Sequence, residues 1–507
     1  MDFFVAAAPI VAVLVGMAGF NVSSRKIAPV AWAISFATAC FYFGSDSTAL
    51  LKGSWAGIVD GARILVIVLG AFSLLQVMLR SGAMDTIKLG LAGVTTDMRL
   101  MTLLLAIPFN TFIEGAAGAG SPAALAAPFL VGLGMNPVTA AAACLLGNAL
   151  PNSWGGAGVT TIFGTGKVME SLGMTFVEAS MKTGMITCLV YVILPVVMLG
   201  VFMGWKSLRG IGKEIVIMGL LTGCINYAIS NVAVAITELT SLVGGLAGTL
   251  LYSAFLKSRK EDLNSVPEEY RISHEPGVTV TAGQFAHALA PYVVLCFMLV
   301  TVRMTVPLPA LLAFGGGYTV WVGLTIFACS FVAALVLGRP GVFMGAAGKA
   351  AMQTWPALFV MGFLLAMVNC MKMSGQMSAL AGPLAHAAGM AYPFVAVAIG
   401  EMGAFVTGTN LGSNLMFNGM HLEAAQSLAI NPVTVVAAQN IGGALGNMIC
   451  PNNVVAVCAC VGIMDKEGVV LRKTLVPALL LLFFAGSAAM VYTYMVFPAT
   501  VTAVAGL

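Results

Sequence analysis

One apolar stretch, residues 112–162, constrains the fold of this chain more than any other. It begins FIEGAAGAGSP and ends NALPNSWGGAGVTTI, so a hydrophobic segment carries a carboxylate, Glu114, together with asparagines, serines and clusters of glycine and proline. Inside a bilayer every backbone N–H and C=O group needs a partner, so such interruptions occur only where the backbone is buried in protein or lines a polar cavity. The stretch therefore predicts a broken membrane helix, and an ionisable group there indicates a functional site.

The interrupted stretch occurs twice, with its landmarks in the same order roughly 295 residues apart. Four matches carry the comparison: Ser81-Gly82 with Ser374-Gly375, Gly115 with Gly408, Asn136-Pro137-Val138-Thr139 with Asn431-Pro432-Val433-Thr434, and Leu146-Gly147-Asn148 with Leu445-Gly446-Asn447. Chance can produce one or two such matches in an apolar chain, but four in order favour a duplication. Paired, interrupted hydrophobic segments are typical of the binding site of a secondary transporter.

Composition independently indicates a polytopic membrane protein. The 507 residues are 60% hydrophobic and 8% charged, with a mean hydropathy of +0.99, whereas soluble domains are about 25% charged. The ten cysteines occur without a disulfide or zinc-binding pattern. No cofactor motif, catalytic Ser/His/Asp set or nucleic-acid-binding segment is present, so we expect no cofactor, no enzymatic activity and no nucleic-acid partner.

The apolar runs and the basic loops predict the topology. Ten runs approach the ~20 residues that a membrane span needs: about 3–20, 27–44, 57–79, 183–203, 214–233, 239–256, 285–303, 319–337, 354–371 and 474–496. If these runs alternate, most basic residues fall on one side, which is the cytoplasm, and both termini are external. The first run is expected to remain as a span, because no basic n-region or cleavage site precedes it.

The duplication and the predicted topology together indicate an all-α polytopic membrane protein of two inverted-topology repeats, with broken or re-entrant helices near mid-membrane. The first repeat half is expected at residues 1–256, with a broken region at about 99–165, and the second at 284–507, with a broken region at about 391–464. The polar segment 257–283 is predicted to be a solvated cytoplasmic linker.

Each broken region offers the groups that bind an anion. Helix starts expose unpaired N–H groups and the positive end of the helix dipole, and both attract a carboxylate. The polar residues could be helix caps without a ligand, but their pairing across the repeats favours a substrate site. The predicted substrate-binding residues are Gly115, Ser121, Asn148, Asn152, Ser153, Gly408, Thr409, Asn410, Ser413, Asn414, Asn440, Asn447 and Asn452.

Two carboxylates within apolar runs, Glu114 and Glu401, are the candidate ion-coupling groups. Glu114 lies about 14 residues into its run, which corresponds to a depth of some 20 Å at ~1.5 Å per residue. Low dielectric favours a neutral carboxyl group, so Glu114 could take up and release a proton. In the alternative reading each carboxyl group only hydrogen-bonds its surroundings and never changes its charge.

At these residues the chain resembles the lactate permease family of bacterial carboxylate transporters, over nearly its whole length. The likeness is carried by Glu114-Gly115-Ala116-Ala117-Gly118-Ala119-Gly120-Ser121-Pro122, by Thr407-Gly408 with Ser413-Asn414, and by Met448-Ile449-Cys450-Pro451. The resemblance implies a multi-pass protein of the bacterial inner (cytoplasmic) membrane that imports lactate, glycolate and related 2-hydroxymonocarboxylates with protons.

The chain departs from that family's pattern at several site positions, so it is expected to be a divergent member. Thr409-Asn410 stands where the family has Ser-Asp, Glu401 where it has an aromatic residue, and Ala119 where it has Phe. A larger or more polar acid, such as a dicarboxylate or sulfonate, and coupling to sodium are therefore alternatives. A channel and a membrane-embedded enzyme are the rival classes. The sequence leaves open an elevator or rocking form of alternating access, and a homo-oligomer.

Overall fold

The computed structural model describes residues 1–16, 24–118, 121–259, 266–272, 280–305, 317–463 and 466–498. Within these ranges the chain is helical, and the only extended pairing is an isolated bridge between Asp97 and Arg271. Eight helical segments of the described chain are long and apolar enough to cross a membrane: Ser47–Ser81, Met98–Ala117, Phe176–Phe202, Gly212–Asn231, Val234–Ser258, Ala282–Leu299, Gln376–Phe405 and Glu467–Val496. The predicted all-α polytopic fold is confirmed.

The first half of the chain forms thirteen described helices. They are α1 (Asp2–Leu14), α2 (Ser24–Phe41), α3 (Ser47–Ser81), α4 (Ala83–Ala92), α5 (Met98–Leu104), α6 (Asn110–Ala117), α7 (Ser121–Gly132), α8 (Pro137–Gly147), α9 (Gly155–Gly164), α10 (Gly166–Glu170), α11 (Phe176–Phe202), α12 (Gly212–Asn231) and α13 (Thr240–Ser258). A π-helical turn, Leu105–Phe109, joins α5 to α6, and a 3₁₀ turn, Leu150–Trp154, precedes α9.

The described part of the second half forms nine further helices. They are α14 (Ala282–Thr305), α15 (Gly317–Val336), α16 (Val342–Met373), α17 (Gln376–Ala388), α18 (Tyr392–Thr407), α19 (Asn410–Ser427), α20 (Pro432–Gly446), α21 (Pro451–Cys460) and α22 (Glu467–Val491). Each of the ten predicted apolar runs falls at least partly on one of these helices. The two predicted broken regions contain α5 to α9 and α18 to α21, and turns separate consecutive helices there.

Two long helices, α3 and α16, pack together through their backbones. A Cβ atom on Gly61 would lie 2.8 Å from the Cα of Gly362, and one on Gly57 would lie 2.6 Å from the carbonyl carbon of Leu365. Only glycine permits this approach without displacing the partner. The paired helices form one continuous wall, and the broken helices pack against it.

The sequence matches between the halves extend to local geometry. Gly82 and Gly375 both have left-handed backbone, with φ of +81° and +76°, between consecutive helices. The Oδ1 atoms of Asn136 and Asn431 cap α8 and α20 by accepting hydrogen bonds from the two residues that follow the proline. The inversion of one half relative to the other remains a prediction.

The position of the first break differs from the prediction. Helix α6 continues through Gly115 and ends at Ala117, with Gly118 as its cap at φ of +66°. The second break is at Gly408, with φ of +84°, as expected. Gly115 instead faces α13, where an added Cβ atom would overlap the backbone of Leu242. Gly115 therefore serves helix packing, which the sequence pattern did not distinguish from a helix break.

Part of the predicted linker contacts the region around the start of α5. The N–H group of Ile272 donates to the carbonyl oxygen of Thr96 at 2.9 Å. The guanidinium group of Arg99 lies 4.7 Å from the centre of the Tyr270 ring, and Val266 is buried. Val266, Tyr270 and Ile272 thus contact the region around the start of α5, whereas Pro267, Glu268, Glu269 and Arg271 are exposed, and the linker remains a prediction. Residues 260–265 and 273–279 lie outside the described ranges.

Candidate functional site

A cavity of about 210 Å³ lies between the broken helices and the wall formed by α3 and α16. Both halves of the chain contribute to it. Its polar lining side chains are Glu114, Asn152, Thr160, Thr409 and Asn447, and its apolar lining includes Val68, Phe72 and Met361. The volume suits a small molecule, and the site lies where paired interrupted helices place the substrates of secondary transporters.

Glu114 is the carboxyl group of this cavity. Its side chain is fully buried, and neither carboxyl oxygen has a hydrogen-bond partner of regular geometry among the described residues. The amide group of Asn148 lies close enough to the carboxyl group to act as a weak hydrogen-bond donor. Gly155 lies against Oε1, so a Cβ atom there would overlap the carboxyl oxygen. Because an ionised carboxylate without a partner is costly in a low-dielectric site, the surroundings favour a neutral carboxyl group or a bound cation.

A run of three left-handed residues shapes the backbone beside Glu114. Gly156, Ala157 and Gly158 have φ of +56°, +54° and +81°. For Ala157 this conformation costs roughly 1–2 kcal/mol, and strain of this kind concentrates at functional sites. Gly118 touches this run, since a Cβ atom on it would lie 2.9 Å from the nitrogen of Gly156. The end of α6 and the first residues of α9 thus form one wall of the cavity.

The start of α19 lines the same cavity. Thr409 caps this helix, because its Oγ1 accepts a hydrogen bond from the N–H group of Gly412 at 2.9 Å. Thr409 and Leu411 line the cavity, so the first turn of an 18-residue helix faces it. The positive end of the helix dipole and the unpaired N–H groups of the first turn favour an anion here.

A buried network of amides holds that helix start in place. Asn410 Nδ2 donates to the Oδ1 and the carbonyl oxygen of Asn440, at 3.0 Å in both cases. It also lies 3.4 Å from the carbonyl oxygen of Asn152 in the first half. Asn414 Nδ2 donates to the same Asn440 Oδ1 at 2.8 Å, and Asn440 Nδ2 donates to Thr183 on α11 at 3.3 Å.

The network continues through residues that the sequence analysis did not single out. Gln439 Nε2 donates to Ser413 Oγ at 2.8 Å, and Gln439 Oε1 lies 2.8 Å from His421 Nε2. The hydroxyl group of Tyr392 lies 2.9 Å from His421 Nδ1. Two adjacent amide residues, Gln439 and Asn440, in an otherwise apolar helix are the sequence signal that would have located this part of the site.

The structure divides the predicted site residues into groups. Glu114, Asn152, Thr409 and Asn447 line the cavity, whereas Asn410, Ser413, Asn414 and Asn440 lie behind it in the network. Asn148 adjoins Glu114, Ser153 is buried in the turn before α9, and Gly408 ends α18. Glu401 is buried but is not among the lining residues. Ala119 and the side chains of Ser121 and Asn452 lie outside the described residues.

A multi-span helical protein with a buried cavity between two interrupted helices has the architecture of a membrane transporter. Comparison with known proteins places it more narrowly. The profile of the L-lactate permease family matches residues 2–352 and 344–496, so the chain belongs to this family. It is a transporter of a bacterial membrane, and not an enzyme.

Two relatives and one solved structure illustrate the similarity. The L-lactate permease of Escherichia coli (strain K12) is 27% identical over 500 residues, covering 90% of this chain and 89% of the relative. The glycolate permease GlcA of the same strain is 25% identical over 555 residues, covering 97% and 96%. The solved structure of MtrF from Neisseria gonorrhoeae superposes with a TM-score of 0.48 at 15% identity, covering 88% of this chain and 84% of that one.

Proposed function

We propose that this protein is a secondary active transporter of a small 2-hydroxymonocarboxylate, such as lactate or glycolate. It moves this anion by alternating access together with a coupling ion, which by the family resemblance is a proton. The proposal is supported by relatives that are named L-lactate and glycolate permeases. One structural observation carries it: the buried carboxyl group of Glu114 and the first turn of α19 line the same small cavity.

Glu114 and the start of α19 suggest where the proton and the substrate bind. The substrate carboxylate is placed at the start of α19, where helix N–H groups and the Thr409 hydroxyl group can donate to it. The polar groups of Asn152 and Asn447 are available to the 2-hydroxyl group. A proton on Glu114 removes the charge of that carboxyl group, so the loaded site carries only the charge of the substrate, which the start of α19 stabilises. This lowers the cost of moving charge through a low dielectric.

A monocarboxylate fits the lining better than a dicarboxylate. Among the described lining residues, no Lys or Arg is present, and the wall from α3 and α16 is apolar. A second carboxylate would therefore be buried without a partner, at a large cost in free energy. We accordingly place lactate- and glycolate-sized acids ahead of dicarboxylates and sulfonates.

Contacts between the halves support a common moving unit. Asn418 Nδ2 donates to the carbonyl oxygen of Gly164 at 2.6 Å, and Asn410 reaches Asn152 across the same interface. We propose that the two broken regions form this unit, related by inverted topology, and that it moves against α3 and α16. In this proposal both termini are external.

Uptake by purified protein in liposomes tests the function. We expect saturable accumulation of radiolabelled lactate or glycolate when the lumen is alkaline relative to the bath, and competition by unlabelled 2-hydroxymonocarboxylates. Protein-free liposomes and a panel of dicarboxylates and sulfonates serve as controls. Accumulation of a dicarboxylate with no uptake of any monocarboxylate would overturn the substrate assignment, and non-saturating flux would indicate a channel.

A further inference from the structure

Two helices end beside Glu114. Helix α6 carries Glu114 in its last turn and ends at Ala117, and α8 ends at Gly147 with Asn148 as its cap. The two helices are joined by a hydrogen bond from Asn110 Nδ2 to the carbonyl oxygen of Cys144 at 2.9 Å. The C-terminal end of a helix carries a partial negative charge, so two such ends and one carboxyl group together favour a cation.

Side-chain oxygens around this point have no hydrogen-bond partner of regular geometry among the described residues. Glu114 Oε1, Glu114 Oε2, Asn110 Oδ1 and Asn148 Oδ1 are buried, and each lacks a hydrogen bond within the described chain. Asn110 precedes Glu114 by one helical turn of α6, and the side chain of Asn148 lies beside the Glu114 carboxyl group. No Lys or Arg forms an ion pair with Glu114 among the described residues.

A proton on Glu114 would account for only part of this arrangement. A protonated carboxyl group donates one hydrogen bond, so it can satisfy one of the two amide oxygens and leaves the other without a donor. A metal cation of low charge can contact several oxygens at once, and hard cations take oxygen ligands of this kind, including carboxylate and amide groups. A single carboxylate balances the charge of a monovalent cation.

We infer that Glu114, Asn148 and Asn110 form a binding site for a sodium ion, which competes with a proton for the Glu114 carboxylate. This inference rests on the proposed function, because it names a second ion for the same coupling group. Helix C-terminal ends beside interrupted helices are suitable places for such ions. Either occupant neutralises Glu114, so the site can load in two chemically distinct ways.

The first experiment measures sodium binding without transport. The full-length protein in detergent is heated in sodium chloride or in choline chloride at equal ionic strength, at acidic and at alkaline pH. We expect sodium to raise the melting temperature, more strongly at alkaline pH where protons compete less. Asn148→Ala and Asn110→Ala should each raise the sodium concentration for half-maximal stabilisation by about tenfold, which corresponds to ~1.4 kcal/mol.

Two substitutions of Glu114 keep this test interpretable. Glu114→Gln should abolish the sodium effect, and Glu114→Asp, which retains a shifted carboxylate, should keep a weaker one. Gly419→Ala is the matched control in α19, because an added Cβ atom there contacts nothing within 4 Å, and it should respond like the unchanged protein. Equal melting temperatures in sodium and choline at alkaline pH, or an unchanged sodium effect in Glu114→Gln, would overturn the site.

Uptake in liposomes separates this inference from the proposed function. If lactate accumulates in a proton gradient and sodium changes neither uptake nor melting temperature, the sodium site is wrong and the transport function stands. If sodium stabilises the protein but no 2-hydroxymonocarboxylate is taken up, the substrate assignment is wrong and the cation site stands.

Discussion

His421 Nε2 on α19 lies 2.8 Å from Gln439 Oε1 on the neighbouring helix α20. This pair determines which groups of the buried network donate and which accept. Gln439 Nε2 donates to Ser413, whose hydroxyl group in turn donates to the carbonyl oxygen of Gly400. Gln439 Oε1 is therefore the acceptor, and His421 Nε2 carries the proton. The same tautomer leaves Nδ1 to accept a hydrogen bond from the Tyr392 hydroxyl group.

Removing the imidazole ring should loosen the start of α19. We expect His421→Ala to leave Gln439 Oε1 buried without a donor, which costs about 1–3 kcal/mol of stability, and to raise the KM for lactate more than it lowers the maximal rate. His421→Gln can donate and accept at the same places and should recover most of the KM. If both variants lose the same share of uptake and neither has a changed KM, the network does not position the site.

Gly155 leaves room for the Glu114 carboxyl group. An added Cβ atom overlaps Oε1, so we expect Gly155→Ala to displace the carboxyl group at a cost of about 1–3 kcal/mol, as for other overpacked sites, and to reduce proton-driven uptake strongly. Gly419→Ala, with no neighbour within 4 Å, is the control. The comparison of uptake rates at equal protein amounts in liposomes checks this, and normal uptake in Gly155→Ala would contradict it.

Glutamine at the two buried carboxylates mimics the neutral acid permanently. We expect Glu114→Gln to retain substrate exchange but to lose about tenfold or more of its net, pH-driven accumulation, which corresponds to at least ~1.4 kcal/mol of coupling. Glu401→Gln should have a weaker effect, because Glu401 does not line the cavity. Counterflow and gradient-driven uptake are measured on the same liposomes, and unchanged pH dependence in both variants would remove both carboxyl groups from ion coupling.

The cap of α19 should contribute directly to substrate binding. Thr409→Val keeps the side-chain shape but loses the oxygen that accepts from Gly412, which costs about 1 kcal/mol at a helix start and should raise the KM for lactate by about fivefold. Thr409→Ser retains the oxygen and is the control. If both variants bind lactate with the affinity of the unchanged protein, the carboxylate does not bind at this helix start.

A fifth prediction comes from the sequence alone, since Ala119 lies outside the described residues. A larger side chain beside the first break should fill the space used by bulky acids, because overpacking a fitted site is costly. We expect Ala119→Phe to keep glycolate uptake while larger acids are lost. Uptake of a size series of acids measures this, and a uniform loss across the series would indicate damage to the fold instead.

Hydrophobicity and repeated landmarks were sufficient to predict the helical membrane fold and both broken regions. Helix-breaking residues are recognisable by type, so Gly408 was placed correctly. Gly115 was not, because glycine at a helix end and glycine at a close helix contact look alike in sequence, and only the approach of Leu242 separates them. The role of His421 was also hidden, because its partners Tyr392 and Gln439 are 29 and 18 residues away.

Residues 266–272 of the predicted linker cover a buried cation in the first half of the chain. Arg99 binds Asp97 and donates to the carbonyl oxygens of Ser207 and Arg209, and the Tyr270 ring lies over its guanidinium group. A fragment that stops at Arg259 would uncover this cation, whereas one that stops after Ile272 keeps it covered. Two polypeptides divided after residue 272 are therefore expected to reassemble in one membrane better than a pair divided after Arg259.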